Sequence, residues 1–143
     1  MKLEFDFSEL YAFADKLNDY HTFETYIMTA TKEVAKVLHN ALLNKTPVDT
    51  GNLRKMWSAG DNLAFIVEKE GNGYVVTFTN DAQNAMGYKY GRAVNYGHKT
   101  PSGGGWVQGR FFVENSVIET EEVAEKLIQK ELRKWLEWCV NGK

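Results

Sequence analysis

The sequence predicts an α+β domain: N-terminal helices, a small antiparallel β-meander sheet, and a long C-terminal helix packed on one face of that sheet. Three observations carry this. Apolar residues recur at three- and four-residue steps from about Thr22 to Asn44, β-branched and aromatic runs then flank Gly71-Asn72-Gly73, and helical spacing returns from about Glu114 to Val140. Runs of one element type followed by runs of the other do not generate parallel crossovers, so the strands pair antiparallel and the helices gather on one side.

Taken in order, a short first helix is expected from about Ser8 to Leu17, with Asp6 or Ser8 able to cap it. The longer second helix carries Phe23, Tyr26, Ile27, Ala30, Val34, Val37, Leu38, Ala41 and Leu42 along one broad apolar face, with Lys32, Glu33, Lys36 and Asn40 opposite. Such a helix lies on a core rather than passing through one. Pro47 stops it, because the residue before a proline is pushed out of the helical region. Strands are expected over Ala64–Glu68 and Tyr74–Thr79, joined at Glu70-Gly71-Asn72-Gly73, since hairpin turns with positive φ favour Gly and Asn. A third strand is expected from Lys89 to Tyr96, and then a long loop from Gly97 to Gly109, with five glycines and an exposed Trp106. Loops this long are uncommon in compact domains unless they serve a function. The final helix sets Val117, Ala124, Leu127, Ile128, Leu132, Trp135 and Leu136 against a charged face. The organisation expected is therefore one domain over residues 1–143: helical 1–46, a corner loop 47–60, the meander 61–96, the glycine-rich loop 97–110 and the final helix 111–143.

With 143 residues, 43% of them hydrophobic, the chain can bury roughly two thirds of its unfolded surface in a single core, without metals or disulfides. Its one cysteine, Cys139, rules out an intrachain disulfide scaffold and a multi-cysteine zinc site. Apolar runs such as Leu63 to Val67 fall far short of the roughly 20 residues of a membrane span. The segment Met1 to Asp6 lacks the features of a secretory signal. A net charge of -2 argues against a general binder of phosphate backbones.

Few residues suggest chemistry. Asp49-Thr50-Gly51 matches the aspartic-protease tripeptide, but it follows a helix-ending proline rather than a strand. The plainer reading has Asp49 capping a short helical turn through Leu53, Arg54 and Trp57. His21, His39 and His98 have no zinc-site spacing, so no metal is expected. His98, opening the loop, is a possible general base, but no nucleophile stands at a recognisable spacing. Gly103-Gly104-Gly105-Trp106 is not followed by the Gly-Lys-Ser/Thr of a phosphate loop, so no cofactor is expected. Arg92, His98, Lys99 and Arg110 do gather positive charge around Tyr96 and Trp106. That mixture suits single-stranded nucleic acid or an acidic patch on a protein, and the negative net charge favours the protein. Trp135 falls on the apolar face. Trp138 is turned from it by about 60° at 100° per residue, which would leave it partly exposed at a contact surface.

The long helix ends in Thr46-Pro47-Val48-Asp49-Thr50-Gly51-Asn52-Leu53-Arg54; then come the strands, Val94-Asn95-Tyr96-Gly97-His98, and Gly109-Arg110-Phe111-Phe112 before the last helix. In this order the motifs resemble the gene-product-ten-like family of tail-associated proteins of long-tailed bacteriophages, over roughly residues 20 to 140. The resemblance implies a non-enzymatic virion structural protein at the head-tail junction, made in the host cytoplasm. Its role would be tail completion or head-tail joining. It further implies self-assembly into a ring, usually sixfold, against tail-tube or connector proteins, with DNA only as cargo in the channel. Pro47, Asp49, Thr50, Gly51, Leu53 and Arg54 correspond to the family's signature loop, with Arg54 expected to pair across a subunit interface. Tyr96, Gly97, His98, Arg110 and Phe111 correspond to its second block, expected to shape the base of the loop that carries Trp106 and an inter-subunit contact. The chain departs from the simplest pattern in Gly103 to Val107 and at Phe112, where a proline-containing segment is common. The rival readings are a nucleic-acid-binding module using the basic, aromatic loop and a small hydrolase using His98 or Asp49.

Overall fold

The computed structural model of the protein describes residues 2–17, 19–48, 52–55, 57, 65–80, 82–83, 86–87, 89–100 and 102–142. Along them run β1 (Lys2–Asp6), α1 (Ser8–Lys16), α2 (Tyr20–Lys45), α3 (Asn52–Lys55), β2 (Phe65–Glu70), β3 (Gly73–Phe78), α4 (Gly91–Tyr96), β4 (Gly97–Lys99), β5 (Trp106–Gln108) and α5 (Phe112–Glu137). One π-helical turn, Trp138–Gly142, continues α5.

The α+β class is as the periodicities predict. The strands form a three-stranded antiparallel sheet in the order β1-β3-β2, with helices on the face that carries Tyr74, Val76 and Phe78. Two expectations need correction. The third strand is not Lys89–Tyr96 but Lys2–Asp6, which brings Leu3 opposite Val76 and Phe5 opposite Tyr74 while Lys2, Glu4 and Asp6 stay exposed. β1 sits beside β3, so the sheet is not a sequential meander. Residues 91–96 are helical because Tyr90 and Val94, four apart, both reach the core while Asn95 is buried between them and α5, which is a helical spacing. The second correction concerns residues 97–110. In place of a long loop without regular structure stands an antiparallel ribbon, in which β4 pairs with β5.

α1 is capped from Asp6, whose Oδ1 accepts hydrogen bonds from the Ser8 backbone N–H (2.9 Å) and hydroxyl (2.5 Å). The Ser8 hydroxyl, then its backbone N–H, hold the Asp6 carboxyl below the usual carboxylate range. α2 stops as expected. Thr46 is extended (φ -64°, ψ 125°) ahead of Pro47, and its N–H returns to the Leu42 carbonyl at 2.9 Å.

α2 and α5 run antiparallel, with Lys45 meeting Glu119 at 3.2 Å near one end and Lys130 meeting Glu33 at 3.2 Å further along. These partly exposed pairs contribute about 0–1 kcal/mol each, so they mark the register rather than hold it. What holds it is the wholly buried line of Phe23, Ile27, Ala30, Val34, Leu38 and Leu42 on α2. Fully burying a large apolar side chain stabilises by about 1.5–3 kcal/mol. Trp135 belongs to this core, at 1% exposure, whereas Leu136, expected on the same face, is 43% exposed. α5 presents Ser116 and Thr120 inward, each hydroxyl donating to the carbonyl four residues earlier, so its buried line includes polar residues that an apolar-only reading passes over. No helix among the described residues is long and apolar enough to cross a membrane.

Candidate functional site

The turn after α2 is braced from several directions. The Thr46 hydroxyl donates to the Leu42 carbonyl and accepts the Trp57 indole N–H at 2.9 Å, and His39 Nε2 lies 3.1 Å from the Trp57 carbonyl oxygen. Leu53 and Trp57 are both buried, and Asn80, just past β3, donates its amide to the Leu53 carbonyl at 2.8 Å. Arg54 Nη2 reaches the carbonyl oxygens of Asn44 (3.5 Å) and Thr46 (3.4 Å). It thus brings positive charge to the negative end of the α2 dipole. Its Nε is buried without a hydrogen-bond partner among the described residues. Pro47 is half-buried at this corner and Val48 is exposed; Asp49, Thr50 and Gly51 lie outside the described residues.

The second group of motif residues forms the base of the β4–β5 ribbon. Asn95, only 3% exposed, is its centre. The Asn95 side-chain oxygen accepts the Val113 N–H at 3.1 Å, its side-chain nitrogen donates to both Glu114 oxygens (3.2 and 3.0 Å), and its backbone carbonyl accepts the Phe111 N–H at 2.9 Å. Asn95 therefore does the work of an N-cap for α5 from another element. The residue at that cap, Phe111, is left-handed (φ 48°, ψ 36°) and supplies no side-chain cap of its own. Gly97 and Gly109 face each other at the root. A Cβ on Gly97 (φ +93°) would lie 2.7 Å from the Val107 carbonyl oxygen and 2.8 Å from the Trp106 ring, and one on Gly109 would lie 2.5 Å from the Asn95 carbonyl oxygen. Only glycine lets these backbones approach so closely.

The ribbon holds its aromatic and cationic groups outward. Trp106 is 59% and Val107 43% exposed, Lys99 stands opposite Trp106, and His98 opposite Val107. His98 is itself exposed, with Nδ1 2.9 Å from the Lys99 carbonyl oxygen. At the base Tyr96 meets Phe111 edge to face (6.3 Å between centroids), and the Arg92 guanidinium lies 5.8 Å from the Tyr96 ring centre. The Thr100–Gly105 turn closes on itself, with Thr100 N–H donating to the Gly105 carbonyl at 3.0 Å and Gly105 N–H to Thr100 Oγ1 at 3.1 Å.

The Glu114 carboxylate raises the Tyr96 phenol above its ordinary range, first by accepting its hydrogen bond and then by repelling the ionised form; Arg92 and Asn95 oppose this more weakly. The neutral phenol is the form that donates, so the contact is intact below about pH 10 and is lost as pH rises through the higher pKa of Tyr96. Glu114→Gln should therefore let Tyr96 ionise at lower pH. An alkaline absorbance titration, with Tyr96→Phe to assign the signal, checks this; an unchanged titration would remove Glu114 as the cause.

Between the two motif groups lies a half-open groove of about 570 Å³, with Leu53 and Trp57 on one side and Arg92, Asn95, Tyr96 and Phe112 among its other walls. Leu53 and Tyr96 of the expected site residues thus share one surface, and Gly91 sits close enough that a Cβ there would lie 3.2 Å from Leu53 Cδ1. Trp106, Arg110 and His98 are not among the groove's lining residues; they belong to the ribbon. Asn80 escaped sequence reasoning, since an asparagine beside a strand end is too common to single out; Asn95 stood inside the Val94–His98 motif but was given no role of its own. Among the described residues no group of three or more His, Cys, Asp or Glu could hold a metal ion.

Fold and site together describe a small α+β domain whose distinguishing surface is a projecting aromatic and cationic ribbon. The model of a family described as "Bacteriophage HK97-gp10, putative tail-component" matches residues 8–97, well over half of the chain. The chain belongs to this family and is a virion-associated bacteriophage tail component. The match starts earlier than the resemblance suggested and ends at Gly97, so most of the ribbon and all of α5 lie beyond it. No curated protein and no solved structure matches the chain.

Proposed function

We propose that this tail component acts at the head-tail junction, in tail completion or head-tail joining, as a subunit of a ring around the DNA channel, with sixfold symmetry as the family resemblance suggests. Its neighbours are copies of itself and tail-tube or connector proteins; DNA passes through as cargo. The observation that carries this reading is the β4–β5 ribbon. An isolated two-stranded hairpin is marginal in water, and exposed aromatic residues on one favour a contact with another macromolecule. On this reading the role is structural rather than catalytic, and His98 Nδ1 lies 2.9 Å from the Lys99 carbonyl oxygen within the ribbon.

Light scattering across a concentration series, with electron micrographs of the same samples, tests the reading. Closed rings with a central channel are expected, in free solution or on isolated phage tails. A protein that remains a monomer in both settings would overturn it. A nucleic-acid-binding module is the second reading, favoured by Lys99 opposite exposed Trp106 and by Arg110 two residues past the ribbon. It requires oligonucleotide binding that weakens with salt in proportion to the phosphates neutralised.

A further inference from the structure

Charge is divided between two consecutive stretches of the chain. Residues 89–110 contain Lys89, Arg92, Lys99 and Arg110 and no carboxylate, whereas residues 111–125 contain Glu114, Glu119, Glu121, Glu122 and Glu125 and no lysine or arginine. The helix dipole accounts for only part of this, because its preference for acids fades within the first turn. Glu114 is in that turn and is engaged by Asn95, and Glu119 is paired with Lys45. Glu121, Glu122 and Glu125 stand further along. At 100° per residue they fall with Ile118 inside an arc of about 100°, opposite the buried Phe112, Ser116 and Thr120. Ile118 is 56% exposed, all three glutamates are exposed, and none of them meets a lysine or arginine among the described residues.

The ribbon is the inverse of this stripe. Trp106 is an exposed apolar centre with Lys99 opposite it, while Val107, next along the strand, turns to the other face with His98; Arg110 follows the ribbon and Arg92 lies against Tyr96 at its base. One surface carries an exposed tryptophan and cations without carboxylates, the other an exposed isoleucine and carboxylates, and both belong to the same chain. Desolvating either against an uncharged partner would strand its charges, whereas bringing the two together pairs them.

We propose that the β4–β5 ribbon docks on the outer stripe of α5 of a second copy of this chain. Ile118 is received against Trp106, and Glu121, Glu122 and Glu125 face Lys99, Arg92 and Arg110. The two patches differ, so the contact is heterologous and repeats from subunit to subunit. The inference rests on the ring reading above and names its contact. Opposite charges across the interface also steer encounter, so assembly weakens as salt rises.

Complementary charge reversal tests it. Glu121→Lys with Glu122→Lys makes both patches basic; Arg92→Glu with Lys99→Glu makes both acidic. Each variant alone, checked for folding by circular dichroism, should associate at least about tenfold more weakly than the parent protein. An equimolar mixture of the two should recover association, because each variant then meets an opposite partner. Reversed variants that associate like the parent, or a mixture that fails to recover, would overturn the contact while leaving the ring reading standing. A parent protein that stays monomeric in solution and on phage tails overturns both. Recovery that stops at a dimer, both in solution and on phage tails, upholds the contact and overturns the ring. A fluorescent single-stranded oligonucleotide that binds the parent and loses binding on Arg92→Glu with Lys99→Glu, with self-association unchanged, would assign the ribbon to nucleic acid and overturn the contact.

Discussion

Replacing Trp135 with alanine should lower folding stability by about 3–5 kcal/mol, the range for emptying a large aromatic site in a core. The indole is 1% exposed and packs edge-on against the buried Phe23 (4.9 Å) and the half-exposed Phe13 (6.1 Å), so its removal empties a filled site. Trp135 also donates its N–H to Asp19 Oδ2 at 2.7 Å, and the Asp19 carboxylate is itself only 7% exposed. Losing this donor adds to the loss, because a hydrogen bond to a buried charged group contributes about 1.5–3 kcal/mol. The two parts can be separated. Trp135→Phe keeps much of the ring packing and removes the N–H, so its loss should be smaller and close to that of the hydrogen bond. Denaturant unfolding of the three proteins gives the comparison. Against the 5–15 kcal/mol typical of a whole domain, the alanine variant should be visibly destabilised at room temperature. A loss under about 1 kcal/mol would mean that this end of α5 does not anchor the core.

Asn95→Asp should cost about 2–3 kcal/mol and loosen the ribbon while sparing the sheet. The amide donates to both Glu114 oxygens, and a carboxylate in its place has no proton to give and repels Glu114. Asn95→Leu should cost a similar amount for a different reason, since the Val113 N–H loses its acceptor at the start of α5. Amide hydrogen exchange distinguishes this from general unfolding. Protection should fall first at Gly97–Lys99 and Trp106–Gln108, with the β1–β3 and β2–β3 ladders retained. As pH falls, Asn95→Asp should recover relative to Asn95→Leu, because a protonated carboxyl can again donate to Glu114. Equal loss of protection in ribbon and sheet would show that Asn95 supports the whole core instead.

What was legible in the sequence follows the range of the interactions concerned. The end of α2 at Pro47 was readable because the steric conflict acts on the adjacent residue. The inward face of α2 and the burial of Trp135 were readable because a long amphipathic helix repeats its signal over many turns. The strand at Lys2–Asp6 was not, although Leu3 and Phe5 alternate with Lys2, Glu4 and Asp6. Five residues of alternation are too few to stand out, and the pairing that gives them meaning is with β3, some 70 residues away. Residues 89–96 misled because aromatic and β-branched residues suit strands locally, while their fit as a helix depends on Leu53 and the α5 N-terminus, which arrive from distant segments. The signature residues were recognisable as a pattern, but the bracing role of Arg54 at the α2 terminus emerges only once Asn44 and Thr46 are placed beneath it.

The sequence by itself thus determined the α+β class, the two long helices with their buried faces, the β2–β3 hairpin and the membership in a family of phage tail components. These rest on local periodicity, on proline and glycine stereochemistry and on the order of motifs. The tertiary structure decided which segment completes the sheet, that residues 97–109 form a ribbon rather than a loop, and that Asn95 ties that ribbon to α5. Those outcomes depend on where distant backbone groups find hydrogen-bond partners and on how closely two glycines let chains approach, which is settled by packing and is invisible in any local window of sequence.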